Sequence, residues 1–356
     1  MAAHMCCQVF SGCYERTVFG YDLLEKEGEN GGELVFRGQF TNNAHIGCVE
    51  AIAASSKFLA SGSTDELIYL FDVEEKVELG SLMQHDGSIS SLAFHEDSHM
   101  ISSSEDGKIC VWSTQSWECM KVMKGHKDAV NSVAVHPSGK LALSVGKDKT
   151  LRTWNLLKGR AAYTTNIKAV SEIVLWSPDG QLYMVVIDDR IDVYDITTAT
   201  IVCSCKCSTR ILTACFITDR TIAVAGEGET IQILRVDEKE RRIKTLVEFK
   251  AHENRIKALK CTRACGSQSR SCERWLFSTS SDGYIKLWCV DTEKVCDAPS
   301  LLSKVNTKAR LTCLAVREVL KQQEGKKGSS QQAAKRIQDQ DGGDSVVKKK
   351  KKKGKP

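Results

Sequence analysis

Apolar and polar residues alternate in short runs along most of this chain, and clusters of Gly, Pro, Ser and Asp separate the runs. The stretch from Gly125 to Asn155, GHKDAVNSVAVHPSGKLALSVGKDKTLRTWN, shows the arrangement most fully. An alternating run from Val130 to Val135 turns at His136-Pro137-Ser138-Gly139-Lys140 and resumes as Leu141 to Val145. It turns again at Gly146-Lys147-Asp148-Lys149 and closes with Thr150 to Trp154. A period of two between turn clusters predicts short antiparallel strands and does not fit a helix.

Certain side chains recur at set offsets inside the unit. His126 opens it, Ser144 stands four residues before Asp148, and Trp154 stands six after it. His85, Ser102, Asp106 and Trp112 repeat the set, as do His252, Ser278, Asp282 and Trp288. A partial set, His45, Ser61, Asp65 and Phe71, has lost the indole donor. These are the offsets of a WD-repeat β-propeller blade, where Trp, Ser, His and Asp can form one chain of hydrogen bonds. Each buried group left unpaired would otherwise cost roughly 1–3 kcal/mol.

The position filled by Trp154 recurs as Phe71, Trp112, Trp154, Tyr194, Leu234 and Trp288, at intervals of 41, 42, 40, 40 and 54 residues. A period near forty is that of propeller repeats. Residues 9–22 match residues 59–72 position by position: Ser11 falls on Ser61, Gly12 on Gly62, Glu15 on Asp65, Tyr21 on Phe71 and Asp22 on Asp72. Tyr21 therefore makes a seventh position, in a blade that lacks its first strand and takes Glu33 to Phe40 as its outer one. Leu311 to Val316 has the alternation of an innermost strand with nothing behind it. The expected fold is all-β, a seven-bladed WD-repeat propeller over residues 1–316, closed by N-terminal strands plus this C-terminal strand. Closure removes exposed sheet edges.

The blades around Tyr194 and Leu234 lack the opening His, although Asp188 keeps the turn acid and Leu182 to Ile187 and Thr221 to Ala225 stay apolar. Burial, at about 25 cal/mol per Å², can hold them instead. The long interval before Trp288 reflects an insertion, Cys261 to Arg274, expected to be a surface loop.

Charge divides the chain. The formal net charge is +5, yet from Lys321 onward there are 12 Lys or Arg against 4 Asp or Glu, so the remainder is slightly acidic. Residues 317–356 are expected to be a disordered tail ending in Lys348, Lys349, Lys350, Lys351, Lys352, Lys353 and Lys355. Such lysines suit RNA phosphates or a nuclear or nucleolar address, or are merely solvated. No apolar run is long enough for a membrane span, and MAAHMCCQVF does not read as a secretory signal.

The 16 cysteines are scattered without paired knuckle spacing. Reduced thiols are expected, and no metal is assigned to Cys203, Cys205 and Cys207 or to Cys261, Cys265 and Cys272. A His, a Ser and an Asp in one repeat also describe a hydrolase triad, but catalytic sets are usually unique, and this one recurs with a Trp. No phosphate-binding or zinc-protease motif is present, so neither enzyme activity nor a cofactor is expected. Partners would meet loops at one face, where Thr64, Asp86, Glu105, Lys127, Asp128, Lys147, Glu253, Asn254 and Arg255 are contact candidates, each with the alternative of plain solvation.

The runs HPSGKLALSVGKDKTLRTWN (136–155), FKAHENRIKAL (249–259), SSDGYIKLW (280–288) and NTKARLTCL (306–314) closely resemble the PAK-interacting WD-repeat family, whose yeast counterpart is a Mak-type large-subunit assembly factor. The likeness covers about residues 1–316, and WD offsets alone do not dictate Arg152, Asn254 or Arg310. It implies a nucleolar protein needed for large (60S) ribosomal subunit assembly, among pre-60S factors and with rRNA contact through the tail. It also implies binding to the N-terminal regulatory region of p21-activated kinase, which restrains activation. The alternative is a purely cytosolic signalling adaptor and kinase inhibitor with no ribosome role. The chain is expected to act as a monomer within larger complexes, away from membranes.

Overall fold

A computed structural model describes residues 3–26, 32–265, 272–295 and 297–319. The tail from residue 320, with its lysines, and the centre of the inserted loop lie outside them. The described residues contain no α-helix, and their 28 strands form seven four-stranded antiparallel sheets. Blade 2 spans residues 49–82, blade 3 89–124, blade 4 130–166, blade 5 173–206, blade 6 211–250 and blade 7 256–306.

Blade 1 is assembled from both ends of the described chain. Strands Ala3–Cys13, Val18–Lys26 and Glu33–Asn42 lie in order, and Leu311–Glu318 adds beside Ala3–Cys13 as the innermost strand. Its register pairs Phe10 with Ala315, and the Ser11 hydroxyl donates to the Cys313 carbonyl at 2.8 Å. The same strand touches Val49–Ala54 of blade 2 and Ile256–Arg263 of blade 7, which closes the ring.

One apolar cluster fills each of the seven seams. Ile101, Ile109 and Met123 of blade 3 meet Val130, Val133 and Trp154 of blade 4, while Leu182, Met184 and Val186 of blade 5 meet Ile211, Ile222 and Leu234 of blade 6. Successive side chains of a strand point to opposite sheet faces. A blade buried on both faces therefore needs apolar residues at consecutive positions, and every residue of Leu182–Ile187 is buried. Such strands sit closely enough to exclude side chains at set points. A Cβ on Gly12 would fall 2.5 Å from Val49, and one on Gly62 would fall 2.4 Å from Ile89 of the next blade.

Two boundaries differ from the sequence reading. Cys261 to Arg263 extend the first strand of blade 7, and Glu273 and Arg274 begin its second, so both ends of the insertion lengthen a hairpin. The closing strand continues through Arg317 and Glu318. Arg317 binds Gln8 at 2.6 Å and Glu74 of blade 2 at 3.1 Å, and these contacts keep the strand ordered past Val316.

Candidate functional site

In each blade, the loop entering the innermost strand and the hairpin joining the second and third strands lie at one face of the ring, here called the upper face. The other two hairpins lie at the lower face. His85, His126 and His252 sit in upper entry loops, and Asp106, Asp148 and Asp282 sit in the upper hairpins of the same blades.

The three full sets share one geometry. In blade 4 the Trp154 indole N–H donates to Ser144 Oγ at 2.8 Å. Ser144 Oγ lies 2.7 Å from His126 Nε2, and His126 Nδ1 lies 3.0 Å from both Asp148 oxygens. The corresponding distances are 2.8, 2.8 and 3.2 Å in blade 3 and 2.9, 2.8 and 2.9 Å in blade 7. One proton arrangement satisfies every member: Trp N–H to Ser, Ser O–H to His Nε2, and His Nδ1–H to the carboxylate. In blade 2, His45 bridges Ser61 at 2.9 Å and Asp65 at 3.0 Å. Phe71 supplies no donor there, and Tyr69 packs edge-on against the imidazole at 4.7 Å.

Each Asp does more than end the chain. Asp148 accepts the N–H of Lys127, next to the histidine, at 3.0 Å, and the N–H of Thr150, two residues on, at 3.1 Å. Asp65, Asp106 and Asp282 take the equivalent pairs, from Ile46 and Leu67, Asp86 and Lys108, and Glu253 and Tyr284. Each carboxylate thus staples an entry loop to a hairpin. The electrostatics agree. Burial pushes these acids up, but backbone N–H groups and the histidine outweigh it and hold all four below the usual carboxylate value, Asp282 at about 2. Burial pulls His85 and His126 down, which keeps both imidazoles neutral at pH 7.

Blade 1 reaches the same end without a histidine. Glu15, at the hairpin position, accepts the backbone N–H of Arg310 at 3.0 Å and its Nε at 2.8 Å, and that guanidinium stacks 4.2 Å from the Tyr14 ring. Asp188 of blade 5 keeps the position but not the role. Its side chain is 70% exposed and its nearest cation, Arg210, lies at 3.7 Å.

All nine contact candidates are exposed on upper-face loops. Lys147 pairs with Glu105 across blades 4 and 3 at 3.0 Å, Lys108 with Asp86 at 2.5 Å, and Lys250 with Glu253 at 3.0 Å. Arg255 reaches Ser281 at 3.3 Å, Thr64 accepts from Cys48 N–H at 3.0 Å and Asp128 from Ala129 N–H at 2.7 Å, while Lys127 and Asn254 project at the loop tips. These loops surround a cleft of about 950 Å³ at the upper mouth of the central channel, lined by Tyr14, Ile46, Glu50, Arg255, Lys257 and Arg310 among others. Desolvation there pushes Glu50 up and Lys257 down.

Burial pushes the thiols of Cys203 and Cys207 up to about 11 and that of Cys261 to about 12, so all three are protonated at neutral pH in the metal-free chain. Cys272 instead lies with Asp291 and Glu293, their ligand atoms within 4.8 Å of one another, a sparse set that makes no site by itself.

Sequence offsets located the four side-chain roles but missed the backbone partners, the Glu15–Arg310 staple and a polar knot in blade 1. In that knot the buried Asp22 accepts from Gln8 and Arg37 at 3.0 Å each and from Gln39. The match of Asp22 to Asp72 gave no hint of it, because Asp72 only caps the turn at Glu74 and Glu75.

Residues 76–113, 117–155 and 243–289 match the WD domain, G-beta repeat family. The chain is 48% identical over 304 residues to a p21-activated protein kinase-interacting protein 1-like protein of Xenopus laevis, covering 85% of this chain and 80% of that one. It is 40% identical over 312 residues to the Homo sapiens p21-activated protein kinase-interacting protein 1, with coverage of 87% and 76%. Protein MAK11 of Saccharomyces cerevisiae is 30% identical over 217 residues, 54% of this chain and 52% of that one. Among solved structures, a chain of the Mitotic Checkpoint Complex superposes with a TM-score of 0.64 at 18% identity, covering 79% of this chain and 84% of that one, a likeness of fold alone.

Proposed function

The chain belongs to the WD-repeat family of p21-activated protein kinase-interacting proteins, and on that footing we propose that it is a non-catalytic scaffold with two engagements. It holds the N-terminal regulatory region of a p21-activated kinase and thereby restrains the enzyme, and it joins pre-60S assembly factors in the nucleolus. The observation that carries the reading is the stapled upper face: loops already fixed by buried carboxylates lose little entropy when a partner docks. The names of the vertebrate relatives support the kinase engagement. Likeness to the Mak-type factor and the basic tail support the ribosomal one, with the tail lysines on rRNA phosphates.

Chemistry argues against catalysis by the recurrent triads. Ser102, Ser144 and Ser278 are fully buried, and each oxygen is already engaged by an indole N–H and an imidazole. A nucleophile needs a free approach, and these have none.

Adding the purified full chain to a GTPase-stimulated p21-activated kinase should lower its activity, and Lys127→Glu with Arg255→Glu should weaken that inhibition by roughly tenfold, about 1.4 kcal/mol. No inhibition at saturating protein rejects direct action. Affinity purification with and without ribonuclease tests the second engagement. Recovery of the kinase alone, with no pre-60S proteins in either condition, rejects it in favour of a cytosolic adaptor.

A further inference from the structure

The lower face carries a feature that the upper-face reading does not use. Between the outer strand of blade 3, Cys119–Lys124, and the lower hairpin of blade 4 at Leu156 to Gly159 runs a groove of about 300 Å³. Ile101, Val111 and Leu156 form its floor, and all three belong to the seam cluster that holds Trp154. Met120 and Leu157 stand at its rim, 59% and 76% exposed. Single exposed apolar residues are ordinary, but two large ones flanking a concave apolar floor make an anchor point. The Lys121 stem crosses to the blade 4 rim: a Cβ on Gly159, whose φ is +58°, would fall 3.2 Å from it.

Charge on the rim is of one sign. Lys121 and Lys158 line the groove, and among the described residues no Asp or Glu does and neither ammonium has a carboxylate within 4.0 Å. Some surface cations elsewhere are paired, as Lys147 is with Glu105 and Arg220 with Asp179 and Glu238.

We propose that this groove docks an acidic segment of a partner protein, which sets one Leu-, Met- or Phe-sized side chain on the floor and carboxylates on Lys121 and Lys158. At the low end of the pocket size range the groove suits a side chain rather than a cofactor. The flexible thioether of Met120 can adapt to such an anchor. Because the groove lies on the face opposite the stapled loops, this engagement leaves the upper face free.

Fluorescence polarisation tests it with the full chain and a short labelled peptide in which paired leucines are flanked by glutamates. A twin peptide with lysine for glutamate is the control. The acidic peptide should bind, the twin should bind at least tenfold more weakly, and Leu157→Asp or Lys121→Glu with Lys158→Glu should each weaken binding by roughly tenfold or more. All three positions are surface sites, where substitutions leave stability nearly unchanged, and a thermal melt matching the parent checks this. Lys127→Glu with Arg255→Glu on the upper face should leave peptide binding unchanged, so failure here is separable from failure of the kinase engagement. Equal binding of both peptides, or binding indifferent to Leu157→Asp, overturns the proposal. So does dimerisation in sedimentation that Leu157→Asp abolishes, or RNA binding lost with the lysines but indifferent to Leu157.

Discussion

Replacing Asp148 with Ala removes one carboxylate and strands several donors at once. The exposed Lys127 N–H and the Thr150 groups can turn to water, but His126 cannot, because its side chain is fully enclosed. Moving its proton to Nε2 does not help. Ser144 already receives the Trp154 N–H, so its own hydrogen would lose its acceptor. The one acceptor left to Nδ1–H is Thr150 Oγ1 at 3.3 Å, a long neutral bond in place of a charge-assisted one, and the loss costs about 1–3 kcal/mol. At roughly 2–4 °C per kcal/mol for a large domain, the melting temperature should fall by about 2–12 °C in differential scanning calorimetry. Glu15→Ala, which breaks an exposed staple, is the contrast and should cost about 1 kcal/mol or less. The sign with pH follows from the lowered carboxyl of Asp148. Its contribution is present above the unfolded value near pH 4 and lost as pH falls through the folded value, so parent and variant should converge in acid. A melt for Asp148→Ala that matches the parent at pH 7, or a loss no larger than that of Glu15→Ala, would refute the staple.

Trp154→Ala should cost about 3–5 kcal/mol by opening a cavity at the blade 3–4 seam, while Trp154→Phe, which reproduces the arrangement of blade 2, should cost clearly less in the same melts. His85 and His126 are neutral in the fold and titrate near 6.5 when unfolded, so stability is complete above that value and should decline as pH falls below it; His126→Gln should flatten the slope of melting temperature against pH. A chain ending at Val319 should melt as the parent does, whereas one ending at Arg310 leaves the Ala3–Cys13 edge unpaired and should aggregate in light scattering.

The fold was legible because a strand buried on both faces and a turn of fixed length each leave a local mark, repeated here at intervals near forty. Closure by Leu311–Glu318 was legible for a related reason: an innermost strand without a blade behind it, and a blade without an innermost strand, have one joint solution. The staples were only half legible. Spacing marks the side chains of His126, Ser144, Asp148 and Trp154, but the N–H groups of Lys127 and Thr150 belong to the backbone and leave no letter in the sequence. Glu15 and Arg310 stand 295 positions apart, and nothing local joins them. The lower groove was invisible because Met120, Lys121, Leu157 and Lys158 occur in separate blades, each unremarkable in its own strand or turn.

Blades 5 and 6 show that polar staples are not needed to hold a blade in place. The middle strands Leu182–Ile187 and Thr221–Gly226 are buried at every position, Tyr183 and Tyr194 stack at 5.0 Å, and Val185 stands where blade 4 has Ser144. Apolar burial therefore keeps those sheets in the ring, and the staples in blades 2, 3, 4 and 7 add something burial cannot, since it acts on strands and not on loops at the water's edge. A carboxylate that binds two loops fixes their tips, where Lys127, Asp86 and Glu253 project. The upper face thus has an arc of carboxylate staples from blade 7 through blade 1, by way of Glu15 and Arg310, to blade 4, whereas across blades 5 and 6 the loops are held by backbone bonds such as Glu227 N–H to the Arg210 carbonyl at 3.1 Å. A partner that needs preformed contacts gains most on the stapled arc, and all nine contact candidates lie on it. Charge reversals there should disturb binding more than reversals at Arg210 or Glu227, outside that arc on the same face.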